Sequence, residues 1–152
     1  MDFGLFLWRS FMLGVCFFVD MPKDVWWTDF KSRPTLRDWN DLTRALELDL
    51  AIYIDPYSPP NTHFPRLTHR FDLKAAMDST PDIPWIFVEH AEPNSVSLLD
   101  FSHPTDAMYC FGGDSRGLKE VDRGLGTWLS IPTKYALWAN QTAAIVLGNR
   151  QF

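Results

Sequence analysis

Cysteine is nearly absent from this chain. It occurs twice in 152 residues, as Cys16 and Cys110. Both sit inside apolar runs, so they read as buried thiols and not as a disulfide or metal pair, and they point to a reducing compartment, the cytoplasm. Positive charge is also in the minority: 14 Lys and Arg stand against 19 Asp and Glu, for a net charge of −5. A dedicated nucleic-acid binder is usually basic overall, so any RNA contact has to come from a local basic face. No apolar run approaches the roughly 20 residues that cross a bilayer, and no membrane association is expected. The apolar start, Phe3 to Trp8 and Phe11 to Val19, lacks the marks of a signal peptide. Asp2 stands where a cation is needed, Arg9 interrupts the run, and no small-x-small cleavage site follows. Neither a G-x-G-x-x-G nor a G-x-x-x-x-G-K-S/T phrase occurs, so simple dinucleotide and P-loop readings lose their main support. The four histidines have no Cys or carboxylate spacing that completes a metal site. Glu89-His90 has no nucleophile elbow to serve and reads as a strand-end pair. There is no repeat, low-complexity run or linker, and residues 1–152 read as one domain.

What is present is apolar and aromatic. Apolar residues make up 46% and charged residues 22%, and aromatics reach 15% with seven Trp. Leu13 to Val19 is a near-continuous apolar strand pattern, as in a parallel strand covered on both faces. A long connection follows and carries Trp26 and Trp27. Thr35 then opens a helical pattern to about Leu48. Leu50 to Ile54 reads as a second strand and Ile86 to Val88 as a third. Residues 56–70 and 91–106 read as polar connections, with a short helical pattern at Leu73 to Met77. The alternation predicts an α/β domain with a mostly parallel sheet flanked by helices.

The stretch Ala107 to Leu147 organises the rest. A strand, Ala107 to Phe111, runs into Gly112-Gly113-Asp114-Ser115-Arg116-Gly117. A short helical pattern covers Leu118 to Leu125. A further strand, Thr127 to Ile131, ends at Pro132, and an Ala-rich helix is expected from about Lys134 to Leu147. Strand ends opening into adjacent loops are where open α/β sheets bind ligands. The glycines let backbone N–H groups approach a polar or anionic ligand group.

Phe111-Gly112-Gly113-Asp114-Ser115-Arg116-Gly117-Leu118, then Ile131-Pro132 and the Ala-rich helix, resembles the SPOUT (α/β-knot) methyltransferases, in the SpoU/TrmH branch that methylates ribose 2′-hydroxyls of RNA. Phe101-Ser102-His103-Pro104 resembles that branch's lead-in to the strand. The likeness is good over about residues 84–150 and loose over 12–56. It implies a C-terminal trefoil knot, S-adenosylmethionine bound in the knotted loops, and a homodimer in which the partner subunit completes the site. Phe111, Gly112, Gly113, Asp114 and Gly117 occupy motif 2, and Ile131, Ala136 and Leu137 occupy motif 3. Val88 and Glu89 match the remaining cofactor loop by position. The departures are specific. Asp114 replaces the family's Glu, Ala136 its Ser and Trp138 its Asn. Asn140 falls about 200° from Trp138 if both lie on one helix.

Motif 1 of the branch carries an Arg that assists the ribose hydroxyl. Ungapped alignment puts Asp41 at that position, with Arg37 and Arg44 on the same helical face. Arg44 is the leading candidate, Arg37 the second, and Asp114 the third polar group of the site. Lys31 and Arg33 near Arg37, and Arg66 and Arg70 with His63, His69 and Lys74, form two clusters that could hold phosphates. The expected function is S-adenosylmethionine-dependent ribose methylation of RNA, with tRNA the expected substrate because small members of the branch mostly act on it. Two other readings stand beside it. One is a SPOUT fold that binds cofactor or RNA without methyl transfer. The other is an unrelated α/β nucleotide-binding enzyme.

Overall fold

A computed structural model describes residues 11–19, 36–113 and 117–151. In chain order the elements are β1 (Leu13–Phe18), α1 (Leu36–Ala45), β2 (Leu50–Ile54), β3 (Thr68–Arg70), α2 (Leu73–Asp78), β4 (Trp85–His90), β5 (Val96–Ser97), β6 (Ala107–Phe111), β7 (Thr127–Ile131) and α3 (Ala139–Gln151). They build one sheet of seven strands in the order β3-β2-β1-β6-β4-β7-β5. Every pairing is parallel. A parallel sheet needs crossovers that cover its faces, which is why β1, β2, β4 and β6 are apolar on both sides.

The two faces carry separate cores. On one, α1 and α3 lie over Val15, Phe17, Tyr109 and Phe111. Leu36, Trp39 and Thr43 form the buried stripe of α1, at the three- and four-residue spacing of one helical face. The Trp39 ring stacks on Phe17 with centroids 4.1 Å apart and planes 2° from parallel. On the other face α2 and residues after Gly117 cover Cys16, Ile52, Phe87 and Cys110. Asp72 caps α2 by accepting the Ala75 N–H at 2.8 Å, one of the otherwise unpaired donors at a helix start.

The strands stand close to their sequence expectations: β2, β6 and β7 have the expected bounds, and β1 stops one residue short. Four differences have local causes. The Ala-rich helix begins at Ala139 and not near Lys134, because the Gln141 side chain reaches back to accept the Trp138 N–H at 3.0 Å and makes Trp138 the cap. Leu118 to Leu125 is a turn followed by one 3-10 turn at Arg123–Leu125, held by Asp122, which accepts the Gly124 N–H at 2.9 Å. α1 ends at Ala45, where Glu47 takes the left-handed conformation (φ 53°) and the Leu48 N–H returns to the Thr43 carbonyl. Short edge strands β3 and β5 add to the sheet inside stretches that read as connections.

Cys16 and Cys110 are register partners on adjacent strands, both fully buried and free. Burial pushes the Cys110 thiol well above its usual range, and the neighbouring Cys16 adds to this. Thiolate is the reactive form, so such thiols are inert in the folded state. Native protein at neutral pH is expected to leave both unmodified by a disulfide reagent, and both to react at once in denaturing urea. Labelling of either thiol in the native state would contradict this packing.

Candidate functional site

The C-terminal ends of β4 and β6 lie side by side, since Val88 pairs with Phe111. Beyond β6 the chain doubles back. Gly113 and Gly117 form an isolated antiparallel bridge, and the Gly117 N–H donates to the Gly113 carbonyl at 3.0 Å. Two glycines make this turn possible. Gly117 has φ +62°, a conformation that costs a residue with a Cβ. A Cβ on Gly112 would lie 2.2 Å from the Gly117 carbonyl carbon, so the two backbones touch directly.

Glu89 ties the turn to the sheet. Its Oε2 accepts the Leu118 N–H at 2.6 Å and its Oε1 accepts the His90 N–H at 3.3 Å. A Cβ on Gly117 would stand 2.6 Å from that same Oε2. His90 ties in the third wall. Its Nε2 lies 2.8 Å from the Thr133 carbonyl; a carbonyl only accepts, so Nε2 carries the proton. β4 then leaves the sheet through Ala91 at φ 52°. Glu92 follows and pairs with Arg123. Arg123 also donates to the Pro93 carbonyl at 2.8 Å and lies 4.9 Å over the Trp128 ring.

These segments enclose a cavity of about 360 Å³, within the roughly 300–1,000 Å³ usual for small-molecule sites. Val88 and Glu89 from β4, Phe111, Gly112, Gly113 and Gly117 from the β6 end, and Ala136 and Leu137 from the segment before α3 all line it. Motif positions 48 residues apart in sequence, Val88 and Ala136, are thus brought together. Its lining also includes five residues that sequence reasoning did not select: His90, Glu92, Lys119, Ala139 and Thr142. The adjacency of His90 to Glu89 and the three-residue spacing of Ala139 and Thr142 were the available signals.

Other expected site residues lie elsewhere. Ile131 is a buried core residue at the end of β7, in register with His90, and is not part of the cavity wall. Asp114, Lys31 and Arg33 fall outside the described residues. Arg37 is exposed in the first turn of α1, two residues before Trp39, which packs at the level of Phe17 and Phe111 near the cavity end of the sheet. Arg44 is exposed in the last turn. That end of α1 lies near the N-terminal ends of the strands, where Leu13 begins β1 and Asp49 accepts the Leu13 N–H at 2.9 Å. The two arginines therefore sit about 10 Å apart along α1, toward opposite ends of the strands it covers. Ala136 to Trp138 precede α3, so the helical angle expected between Trp138 and Asn140 does not apply. Arg66 is exposed before β3, and Arg70, half-buried within it, donates to the His69 carbonyl at 2.8 Å. Among the described residues no group of three His, Cys, Asp or Glu could hold a metal ion, and no helix is long and apolar enough to cross a membrane.

The fold is shared with solved structures. No protein-family model matches the chain, and no curated protein matches it in sequence. The SpoU methyltransferase AviRb from Streptomyces viridochromogenes, in complex with AdoMet, superposes with a TM-score of 0.69 at 18% identity, covering 99% of this chain and 64% of its own. A second AviRb structure covers 92% of this chain and 59% of its own, so the chain spans about three-fifths of AviRb. A protein solved for the 2-OH methylation of C/U34 on tRNA matches at TM-score 0.62 and 15% identity over 93% of both chains. An AdoMet-bound rRNA methyltransferase from Sinorhizobium meliloti matches at TM-score 0.66 and 12% identity, covering 92% of this chain and 56% of its own. The chain thus shares the fold of these methyltransferase structures, the fold that the sequence resemblance implied.

The glycine pair sets a sharp expectation. Gly117→Ala should destabilise the domain by about 1 kcal/mol or more, since Ala at positive φ is strained and its Cβ meets Glu89. Gly124→Ala, whose nearest neighbour would be Asp122 at 3.4 Å, should stay within about 0.5 kcal/mol of wild type. Urea midpoints of the two variants check this, and equal midpoints would refute it.

Proposed function

We propose that this domain is an S-adenosylmethionine-dependent RNA methyltransferase, acting on a ribose 2′-hydroxyl, with tRNA as the substrate. The observation that carries the reading is the cavity at the β4 and β6 ends, walled by the glycine turn and by residues 136–142, on a fold shared with two AdoMet-bound structures. The cavity suits that cofactor. Val88, Phe111 and Leu137 offer apolar surface for a purine. The lining offers no net positive charge for a polyphosphate: Glu89 stands against Lys119, and Glu92 is paired with Arg123. That balance also argues against a general nucleotide-binding enzyme.

In this reading Val88, Glu89, Phe111, Gly112, Gly113, Asp114, Gly117, Ala136 and Leu137 form the cofactor site, with Ile131 supporting the β7 end. S-adenosylmethionine supplies an already activated methyl group. The protein's work is then alignment, and stabilisation of charge on the ribose oxygen as its proton departs. A guanidinium stays protonated, so an arginine would act here by electrostatics. Arg37 is the better placed, because its end of α1 faces the cavity end of the sheet. Arg44 would need a second subunit to bring it there. A homodimer is part of the proposal, as is the trefoil knot. The exposed apolar face of α3, Ala144 and Ile145, is its candidate contact. Lys31, Arg33, Arg66 and Arg70 are candidate phosphate contacts.

The rival reading is a SPOUT domain that binds cofactor or RNA without transferring methyl, favoured by Ala136 and Trp138 where the family has Ser and Asn. Calorimetric titration with S-adenosylmethionine is expected to give micromolar-range binding to wild type and none to Gly113→Trp. A tritiated-methyl assay on bulk tRNA should then find transfer reduced at least tenfold in Arg37→Ala, with cofactor affinity retained. Binding without transfer by wild type would establish the rival, and no binding at all would remove the methyltransferase reading.

A further inference from the structure

The polar side chains of the cavity stand mainly on one side of it. The glycine wall brings backbone only. The wall formed before and by α3 brings Ala136, Leu137, Ala139 and Thr142, and the Thr142 hydroxyl already donates to the Trp138 carbonyl at 3.3 Å. Lys119 adds an exposed donor. The other polar side chains come from the end of β4 and just beyond it: Glu89, His90 and Glu92.

The two carboxylates are committed. Glu89 holds the Leu118 and His90 N–H groups, and Glu92 is paired with Arg123. His90 differs, because its ring has two nitrogens and the wall employs one. Nε2 donates to the Thr133 carbonyl at 2.8 Å. Neutral imidazole carries a single N–H, so this bond fixes the tautomer and leaves Nδ1 as a bare lone pair. The ring is half-buried and lines the cavity, and among the described residues no group bonds Nδ1. A half-turn of the ring would put a carbon against the Thr133 carbonyl and forfeit the bond. That carbonyl is itself held, since β7 pairs with β4 at Ile131 and His90, two residues earlier. Both ring nitrogens therefore keep their places.

A ligand that fills the cavity takes water away from Nδ1, and an acceptor left unpaired then weakens binding. The ligand that suits this wall brings an O–H or N–H to it. The ring is neutral in this tautomer, which matches a neutral donor. In a nucleoside whose purine lies on Val88, Phe111 and Leu137, the neutral donors outside the base are the ribose hydroxyls.

We infer that His90 is a specificity-determining residue of the cavity, its Nδ1 accepting a hydrogen bond from a ribose hydroxyl of the bound nucleoside cofactor while Nε2 holds the wall. The inference rests on the S-adenosylmethionine reading for its ligand; the tautomer stands on geometry alone. It assigns polar recognition to β4 in a chain where Ala136 and Trp138 replace the family's Ser and Asn.

The test titrates S-adenosylhomocysteine, which keeps the base and the ribose, and its 2′-deoxy, 3′-deoxy and inosyl analogues into wild type and His90→Phe. Removing the partner hydroxyl is expected to weaken binding to wild type about tenfold, the loss of one hydrogen bond. The same removal should change binding to His90→Phe by no more than about twofold. A loss that His90→Phe shows with every ligand comes from the missing Thr133 anchor and cancels in the ratio of affinities. Equal ratios in the two proteins overturn the inference and leave the cofactor reading in place. A ratio that moves only for the inosyl analogue overturns it too, since the donor would then be the base amino group. Nitrogen NMR of histidine-labelled wild type needs no variant. His90 should show a protonated Nε2 and a bare Nδ1. The Nδ1 signal should move when S-adenosylhomocysteine binds, and stay when the analogue lacking the partner hydroxyl binds. A protonated Nδ1, or an Nδ1 signal indifferent to the ligand, overturns the inference. Failure of wild type to bind S-adenosylhomocysteine removes the cofactor reading and this inference with it.

Discussion

The structure of the site depends on one short-range constraint, the contact of two glycine backbones held by a single carboxylate. A Cβ on Gly112 would strike the Gly117 backbone and one on Gly117 the Glu89 carboxylate, and Glu89 accepts the next N–H, that of Leu118, at 2.6 Å. This short turn ends β6 and closes the cavity. The carboxylate comes from the neighbouring strand, so the turn has its shape only when β4 and β6 are paired. The site is thereby coupled to the centre of the sheet.

Glu89 changes meaning once its partners are seen. By the sequence resemblance, its position beside Val88 matches a cofactor loop. In the structure both its oxygens already serve backbone N–H groups, so its first task is to hold the turn. A residue can line a cavity and still be there mainly for the wall. On the other side one nitrogen of His90 anchors Thr133. The loops around the cavity are thus fixed from β4, the strand between β6 and β7 in the sheet order.

Much of the fold was legible because parallel strands buried on both faces leave plain apolar runs. Ala107–Phe111, Thr127–Ile131 and Leu50–Ile54 have no polar alternation to blur their ends. β3 and β5 were hidden because they are short edge strands with partly exposed residues such as Thr68 and Val96. Helix starts depended on side-chain caps. Gln141 reaching back to Trp138 moves the start of α3 by a full turn, and an Ala-rich stretch gives no hint of that. The cavity lining was legible at the motif glycines. Lys119 and Glu92 were not, since each enters through a turn whose direction is set by tertiary contacts. Spacing alone could not separate Arg37 from Arg44. Two turns of one helix put one near the cavity end of the strands and the other about 10 Å away, toward their starts.

The strand order has a consequence for how the molecule is made. β1 lies between β2 and β6, and the hydrogen bond from Met12 to Asp106 joins residues 94 positions apart. The sheet cannot close around its first strand until most of the chain has emerged. The cavity needs more still, because Ala139 and Thr142 belong to its wall. Contacts of such long range make folding slow relative to helical proteins of the same size. During synthesis the free edge of β1 waits for β6, encoded about 90 residues later, and the cavity is among the last parts of the domain to exist.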